Sequence, residues 1–238
     1  MELIKKNFIF QDINKLKGVG LQLSRYLKKR KIEKIKDILF NLPYSDTDRS
    51  QITKLNQLEI GKIQSVQVIV KKLNFPRIRN LPNKVICAEN EKKINIIFFN
   101  SNEFYIKKIL PISKIVVISG KINFYKNNYQ ITNPTYVKPL SNKDEILRIF
   151  PKYSLTEGLT EKIYRKLISN TLQRIEGNDD WHDQEFLTKN NFQTIRATFK
   201  NLHKQKNTNY INSNDYRRIA YDEIFSNLLM LIQARKIV

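Results

Sequence analysis

Alternation of apolar and polar positions is clearest between Gly61 and Pro134, and it predicts a run of strands. From Ile63 to Leu73, Val66, Val68 and Val70 share one face while Ser65, Gln67 and Lys71 share the other. Lys84 to Ala88 is short and apolar, and Ile94 to Phe99 carries three β-branched residues and two aromatics. Ile115 to Ile122 is almost continuously apolar, and Tyr129 to Thr132 follows a Lys126-Asn127-Asn128 turn. Between the third and fourth strands, Glu103, Phe104, Ile106, Lys107, Ile109 and Leu110 fit one short helix stopped by Pro111. Elsewhere the period is helical: Leu21, Leu23, Leu27; then Ile35, Ile38, Leu39; then Ile163, Leu167, Ile168, Leu172 behind a Thr160 cap; then Ile195, Phe199, Leu202. The final helix, from Tyr216 onwards, is apolar over more than one stripe and predicts partners on two sides.

Five strands with a helix between the third and fourth is the layout of an OB-fold barrel, which often binds oligonucleotides. The expected fold class is therefore α+β. A five-stranded OB-fold β-barrel over residues 51–140 is flanked by a helix-hairpin-helix-like element over 1–50 and a helical segment over 141–238. Along Ile94–Phe99 the odd positions include Lys93 and Asn95, which prefer solvent, so Phe99 is expected to point outward with them. Phe98, Phe99, Phe104 and Tyr105 are the candidates for stacking on bases. The competing reading plugs the barrel with the phenylalanines, and the sequence does not decide which of Phe98, Phe99 and Phe104 is exposed.

Charge sharpens the picture. Lys and Arg number 43 against 22 Asp and Glu, a formal net charge of +21, which makes nucleic acid the first partner class and an anionic membrane the second. Lys71, Lys72, Arg77, Arg79 and Lys84, in and beside the loop joining the first two barrel strands, are candidate phosphate clamps, as are Lys107 and Lys121; the alternative is a solvated charge run. Near the N-terminus, Leu16-Lys-Gly-Val-Gly20 followed by Ser24 and Leu27 offers Gly18 and Gly20 as a tight turn exposing backbone amides to a phosphate, or else as a helix-packing corner. Ser45-Asp46-Thr47-Asp48-Arg49 reads as a polar turn with an Asp48–Arg49 pairing rather than a metal site. The single cysteine, Cys87, excludes an intramolecular disulfide, and His182 and His203 read as surface or packing residues. With no apolar segment of membrane-spanning length, the expected place is the cytoplasm.

Several blocks in order resemble the N-terminal wedge region of the RecG family of ATP-dependent DNA helicases. They are Leu16-Lys-Gly-Val-Gly20, Ile38-Leu-Phe-Asn-Leu-Pro-Tyr44 with Asp48-Arg49, Ile97-Phe-Phe-Asn100, Ile118-Ser-Gly-Lys121, Asn133-Pro134-x-Tyr136, Phe150-Pro-x-x-Ser-Leu-Thr-Glu-Gly-Leu159, Asn201-Leu-His203 and Arg217-Arg-Ile-Ala-Tyr-Asp-Glu-Ile-Phe225. The resemblance implies a monomeric module that splits the arms of replication forks or Holliday junctions in recombination and fork-regression repair. It also implies single-stranded DNA contacts and a following pair of helicase domains. Phe99 matches a stacking aromatic of the family by its place before Asn100, with Phe104 as its companion. Two departures are visible: Ser24 stands where Ala is commoner, and Ala88-Glu-Asn-Glu91 replaces an acidic-Gly turn. No Gly-x-x-x-x-Gly-Lys-Ser/Thr loop and no Asp-Glu-x-His box occurs in residues 1–238, so ATP and Mg²⁺ are expected only in a motor outside them. The expectation is a fragment or truncated product that carries no catalytic residues. The alternatives are a stand-alone single-stranded nucleic-acid binder without a motor, and a scaffold whose last helix recruits a protein.

Overall fold

The structure, a computed structural model, describes residues 8–77, 81–175, 180–204 and 210–237. In chain order the elements are α1 (Leu21–Lys28), α2 (Ile35–Phe40), β1 (Ser45–Asp48), β2 (Ile63–Asn74), β3 (Asn83–Glu89), β4 (Lys92–Phe98), α3 (Glu103–Ile109), β5 (Ile115–Tyr125), β6 (Asn128–Thr132), β7 (Tyr136–Pro139), β8 (Ile149–Lys152), α4 (Glu161–Arg174), α5 (Gln184–Lys189), α6 (Ile195–Leu202) and α7 (Asn214–Ile237). They group into two compact units, Thr47–Phe150 and Met1–Asp46 with Pro151–Val238. β1 and β8 form a separate two-stranded sheet.

The first unit is the expected OB-type barrel. Its strand order is β2-β3-β4-β6-β5, closed by pairing of β2 with β5; β4 and β6 run parallel and the other ladders antiparallel, and β7 extends β5. Alternation fills the interior: Val66, Val68 and Val70 of β2, Val85 and Cys87 of β3, Ile94, Ile96 and Phe98 of β4, and Val116, Ile118 and Ile122 of β5 share one core. Ile106 of α3 and Leu110 close one end. Asn102 caps α3 by accepting the Tyr105 N–H at 2.7 Å, and Pro111 follows its last turn. One outward position departs from the expected pattern. Asn95 is buried, because on β4 it lies between Ile86 of β3 and Gln130 of β6.

Arg49 corrects the expectation of a polar turn. Ser45–Asp48 is a strand, Asp48 accepts from the Ser50 N–H and hydroxyl, and Arg49 turns inward. Its guanidinium donates to Ser119 Oγ at 2.6 Å and lies over the Tyr136 ring at 5.3 Å. Ser65 Oγ donates to the Arg49 carbonyl at 3.2 Å and lies 3.0 Å from Ser119 Oγ, so β2, β5 and this cation share one buried polar knot.

The other unit joins segments that lie far apart in sequence. Ile13, Leu16, Leu27, Ile35 and Ile38 pack with Tyr153, Tyr164, Leu167 and Ile168. Leu39 joins Ile175, Ile195, Phe199, Leu202 and Ile219 in a second cluster. The expected helix before the glycine hairpin is only a 3₁₀ turn, Ile13–Lys15, because Asp12 caps the Asn14 N–H and Leu16 is already extended. Arg218 on α7 is fully buried and donates to Asp180 and Asp222, each at 2.8 Å, and His182 Nε2 lies 2.8 Å from Asp222. Burial acts to raise the Asp180 pKa, but the bonds from Arg218, Ile195 and His182 outweigh it and hold the carboxyl below its usual value. Tyr221 and Phe225 of α7 group with His182 and Phe186, whereas Ile224, Leu228 and Met230 stay exposed.

His203 is also buried. A carbonyl can only accept, so the 2.9 Å contact to the Leu39 oxygen places the ring proton on Nε2, and Nδ1 accepts from the Tyr153 hydroxyl at 3.0 Å. Burial pushes the His203 pKa down to about 4, against the opposing effect of the Leu39 hydrogen bond. Folded His203 is thus neutral where an unfolded histidine begins to charge. Its contribution is complete above about pH 6.5 and is lost as the pH falls towards 4. Urea melts of the wild type should lose on the order of 3 kcal/mol across that window from this residue. His203→Gln should flatten that part of the pH profile, and identical profiles would contradict the assignment.

Gly120 marks the tightest packing in the barrel. A Cβ there would lie 2.4 Å from Ile131 Cγ2 and 3.4 Å from the Pro134 backbone. Gly120→Ala should cost about 1–3 kcal/mol by overpacking. Adding Ile131→Ala should recover part of that loss in a thermal-melt double-mutant cycle, and strict additivity would exclude the contact as the cause.

Candidate nucleic-acid interface

The chain leaves β4 at the end of the barrel where the β2–β3 loop also lies, since Asn83 pairs with Phe98. Alternation then separates the two phenylalanines. Phe98 is 5% exposed and belongs to the core, whereas Phe99 is 48% exposed. This removes Phe98 from the stacking candidates, because both faces of its ring are occupied by the barrel interior. Phe99 is fixed through its backbone, its N–H donating to Asn133 Oδ1 at 2.9 Å, while the Asn133 N–H donates to the Ile97 carbonyl at 2.8 Å. Asn100 then takes a left-handed φ of 57°, which turns the chain, and Asn83 Nδ2 donates to the Ser101 carbonyl at 2.7 Å to hold the loop.

The Asn102 cap starts α3 immediately afterwards, and helical periodicity sorts its side chains. Ile106 enters the core, while Phe104 at 78% and Tyr105 at 51% exposure face solvent. Lys107 reaches back across the end of the barrel, its Nζ 5.1 Å from the centre of the Phe75 ring and 3.3 Å from Glu103. Three exposed rings, Phe99, Phe104 and Tyr105, thus stand on the short segment joining β4 and α3 at one rim. Exposed rings at a barrel mouth are what stacking on unpaired bases requires.

The cations are distributed less evenly than the sequence suggests. Lys71 and Lys72 are both exposed although adjacent on a strand, because a β-bulge between Val70 and Lys72 breaks the alternation. Arg77 is exposed on the β2–β3 loop; Arg79 lies outside the described residues. Lys84 is half-buried on β3 beside Ile97. Lys121 is exposed but pairs with Ile63, at the far end of β2 from that loop, so the fold does not bring it to the rim. Gly18 and Gly20 belong to the other unit. Gly18 has φ +95°, Gly20 precedes α1 in extended conformation, and a cleft of about 720 Å³ beside this hairpin is lined by Lys17, Lys166, Asn170 and Arg174.

Sequence reasoning missed Asn133, Asn102 and Phe75, which hold the rim rather than face solvent. Asn immediately before Pro134 was the available signal for the first. Among the described residues no group of three His, Cys, Asp or Glu could hold a metal ion, and no helix is long and apolar enough to cross a membrane. Burial pushes the Cys87 thiol up to about 12, so it behaves as a small core hydrophobe.

Comparison with known proteins places these observations. The RecG wedge domain profile matches residues 12–175. The chain is 27% identical over 229 residues to the ATP-dependent DNA helicase RecG of Thermotoga maritima, covering 94% of this chain and 29% of the relative. To the Aquifex aeolicus RecG it is 23% identical over 238 residues, covering 94% and 30%. It therefore spans under a third of the length of these curated relatives. A solved RecG bound to a three-way DNA junction superposes with a TM-score of 0.73 at 25% identity, over 95% of this chain and 31% of that one.

Asn133→Ala should leave the barrel folded and free the loop that carries Phe99. Loss of this one acceptor should cost about 1 kcal/mol and speed exchange of the Phe99 amide hydrogen well above that of the Ile96 amide. Unchanged Phe99 protection in exchange measurements would show that Asn133 is not its anchor.

Proposed function

The chain belongs to the RecG wedge-domain family, and on that premise we propose that it is the branched-DNA-binding wedge of a RecG-like ATP-dependent helicase. The observation that carries the reading is the group of exposed rings on the β4–α3 segment, at the rim of a closed barrel, in a family with a solved member on a three-way junction. At the branch point of a replication fork or Holliday junction, Phe99, Phe104 and Tyr105 would lie against the bases left unpaired where the arms part. Arg77, Lys71 and Lys72 would neutralise neighbouring phosphates and set the salt dependence.

Magnitudes assign the labour. Each base stacked on an aromatic ring gains roughly 1–3 kcal/mol, while a DNA base-pair step is worth about 1.4 kcal/mol on average. A few rings can therefore hold one or two base pairs apart but cannot unwind a duplex. Continuous strand separation, as in recombination and fork-regression repair, needs an ATP-driven motor. Residues 1–238 contain no phosphate-binding loop, so ATP and Mg²⁺ belong to helicase domains outside this sequence. In this reading the wedge acts as a monomer in the cytoplasm, beside those domains and on chromosomal DNA.

Fluorescence anisotropy with a fork, a linear duplex of the same length and the separated single strands tests the proposal. The wild type should prefer the fork. Phe104→Ala and Phe99→Ala should each weaken fork binding by about fivefold or more and barely change binding to linear duplex. Fork binding by both variants equal to wild type would overturn the assignment. Equal wild-type affinity for the fork and for its separated strands would instead favour a single-strand binder without a motor.

A further inference from the structure

The β5–β6 hairpin carries a feature that the rim does not use. Its two turn residues, Lys126 and Asn127, take φ values of +47° and +57°, the left-handed pair of a tight two-residue hairpin turn. Such a turn is rigid, and it presents Phe124 at 48% and Tyr125 at 59% exposure. Phe124 is steadied by its cross-strand partner Tyr129, ring centres 5.1 Å apart and edge to face, and Lys126 Nζ lies 5.5 Å from the centre of the Tyr125 ring. β4, β5 and β6 contain no Asp or Glu at all, so nothing on these strands repels phosphate. An aromatic pair held out on a fixed turn beside a lysine is a surface for a flat base and its phosphate.

The ladder places this hairpin relative to the rim. Gln130 of β6 is level with Asn95 of β4; Phe99 lies four residues further along in one direction and Asn128 two residues away in the other. At strand rise the two aromatic sites are separated by roughly 20 Å. We infer that the Phe124–Lys126 hairpin is a second, separate contact for single-stranded DNA, taking a nucleotide of the arm that leaves the rim. Tyr125 stacks on the base and Lys126 holds the phosphate. The inference rests on the junction reading above, because it is the rim that delivers the arm.

Forks carrying one single-stranded arm of 0, 3, 6 and 10 nucleotides provide the test, with the full chain titrated against each. Wild-type affinity should rise once the arm is long enough to span from rim to hairpin. The double variant Tyr125→Ala, Lys126→Ala should lose roughly tenfold of that gain while binding the fork with no single-stranded arm as wild type does. Both residues are exposed, and a thermal melt matching wild type checks that the barrel is intact. An arm-length gain identical in variant and wild type would overturn the hairpin contact and leave the junction reading standing. A wild type with no fork preference at any arm length would instead remove the junction reading itself. A variant weakened equally on the blunt fork would mean that the hairpin belongs to the rim, and would also overturn the inference of a separate site.

Discussion

Closure of the barrel between β2 and β5 is the constraint from which the interface follows. Once the ladder closes, strand positions have only two destinations, and the interior is already filled by valine, isoleucine and Phe98. Phe99 cannot also enter, so the next position in a period-two pattern must face solvent. Closure also brings Asn133, after β6, beside the end of β4 through the parallel β4–β6 pairing, where it can accept the Phe99 N–H. An exposed phenylalanine is therefore not a packing failure. It is the geometric counterpart of a full core, fixed in direction by a backbone hydrogen bond.

The helical unit solves a different problem with the same economy. Its cores mix residues before the barrel with residues after it, so neither segment completes its packing alone. Its polar groups are satisfied across that sequence gap: His203 bridges Tyr153 and the Leu39 carbonyl, and Arg218 ties α7 to Asp180 and Asp222. A buried cation with two carboxylates gains little net stability over an apolar substitute, but losing one partner strands the others in low dielectric. Such a network fixes one arrangement of the start of α7 against the Asp180–His182 segment. It does nothing for the exposed apolar residues further along the helix.

The barrel was readable because its signals are local. Strand periodicity, the turn asparagines and Pro111 place each element to within a few residues, and the order of strands and helix names the topology. The lead candidates Phe99 and Phe104 could be picked by alternation and helical spacing. The same alternation argument already placed Phe98 inside, yet the strand alone could not establish that the barrel was full, so Phe98 stayed a candidate. What escaped was non-local. Arg49 looked like a turn cation because its partner Ser119 lies 70 residues away. Lys121 looked like a clamp because nothing in its neighbourhood shows which end of the barrel it occupies. His203 and Arg218 looked ordinary because their partners are 164 and 38 residues distant. Exposure of Lys71 together with Lys72 needed the bulge, which depends on the pairing partner.

Charge and rings then divide recognition between them. A formal charge of +21 attracts every nucleic acid, and its contribution scales with the number of phosphates neutralised, whatever their sequence or branching. Charge alone would bind a fork little better than a duplex of equal length. Stacking differs, because a paired base inside a duplex offers no free face and only a branch, a gap or a loose strand does. Discrimination for branched DNA must therefore come from rings held at fixed places on a rigid support. In the barrel, rigidity comes from the closed ladder and direction from Asn133 and the Asn102 cap, while the lysines around them set strength without choosing the target.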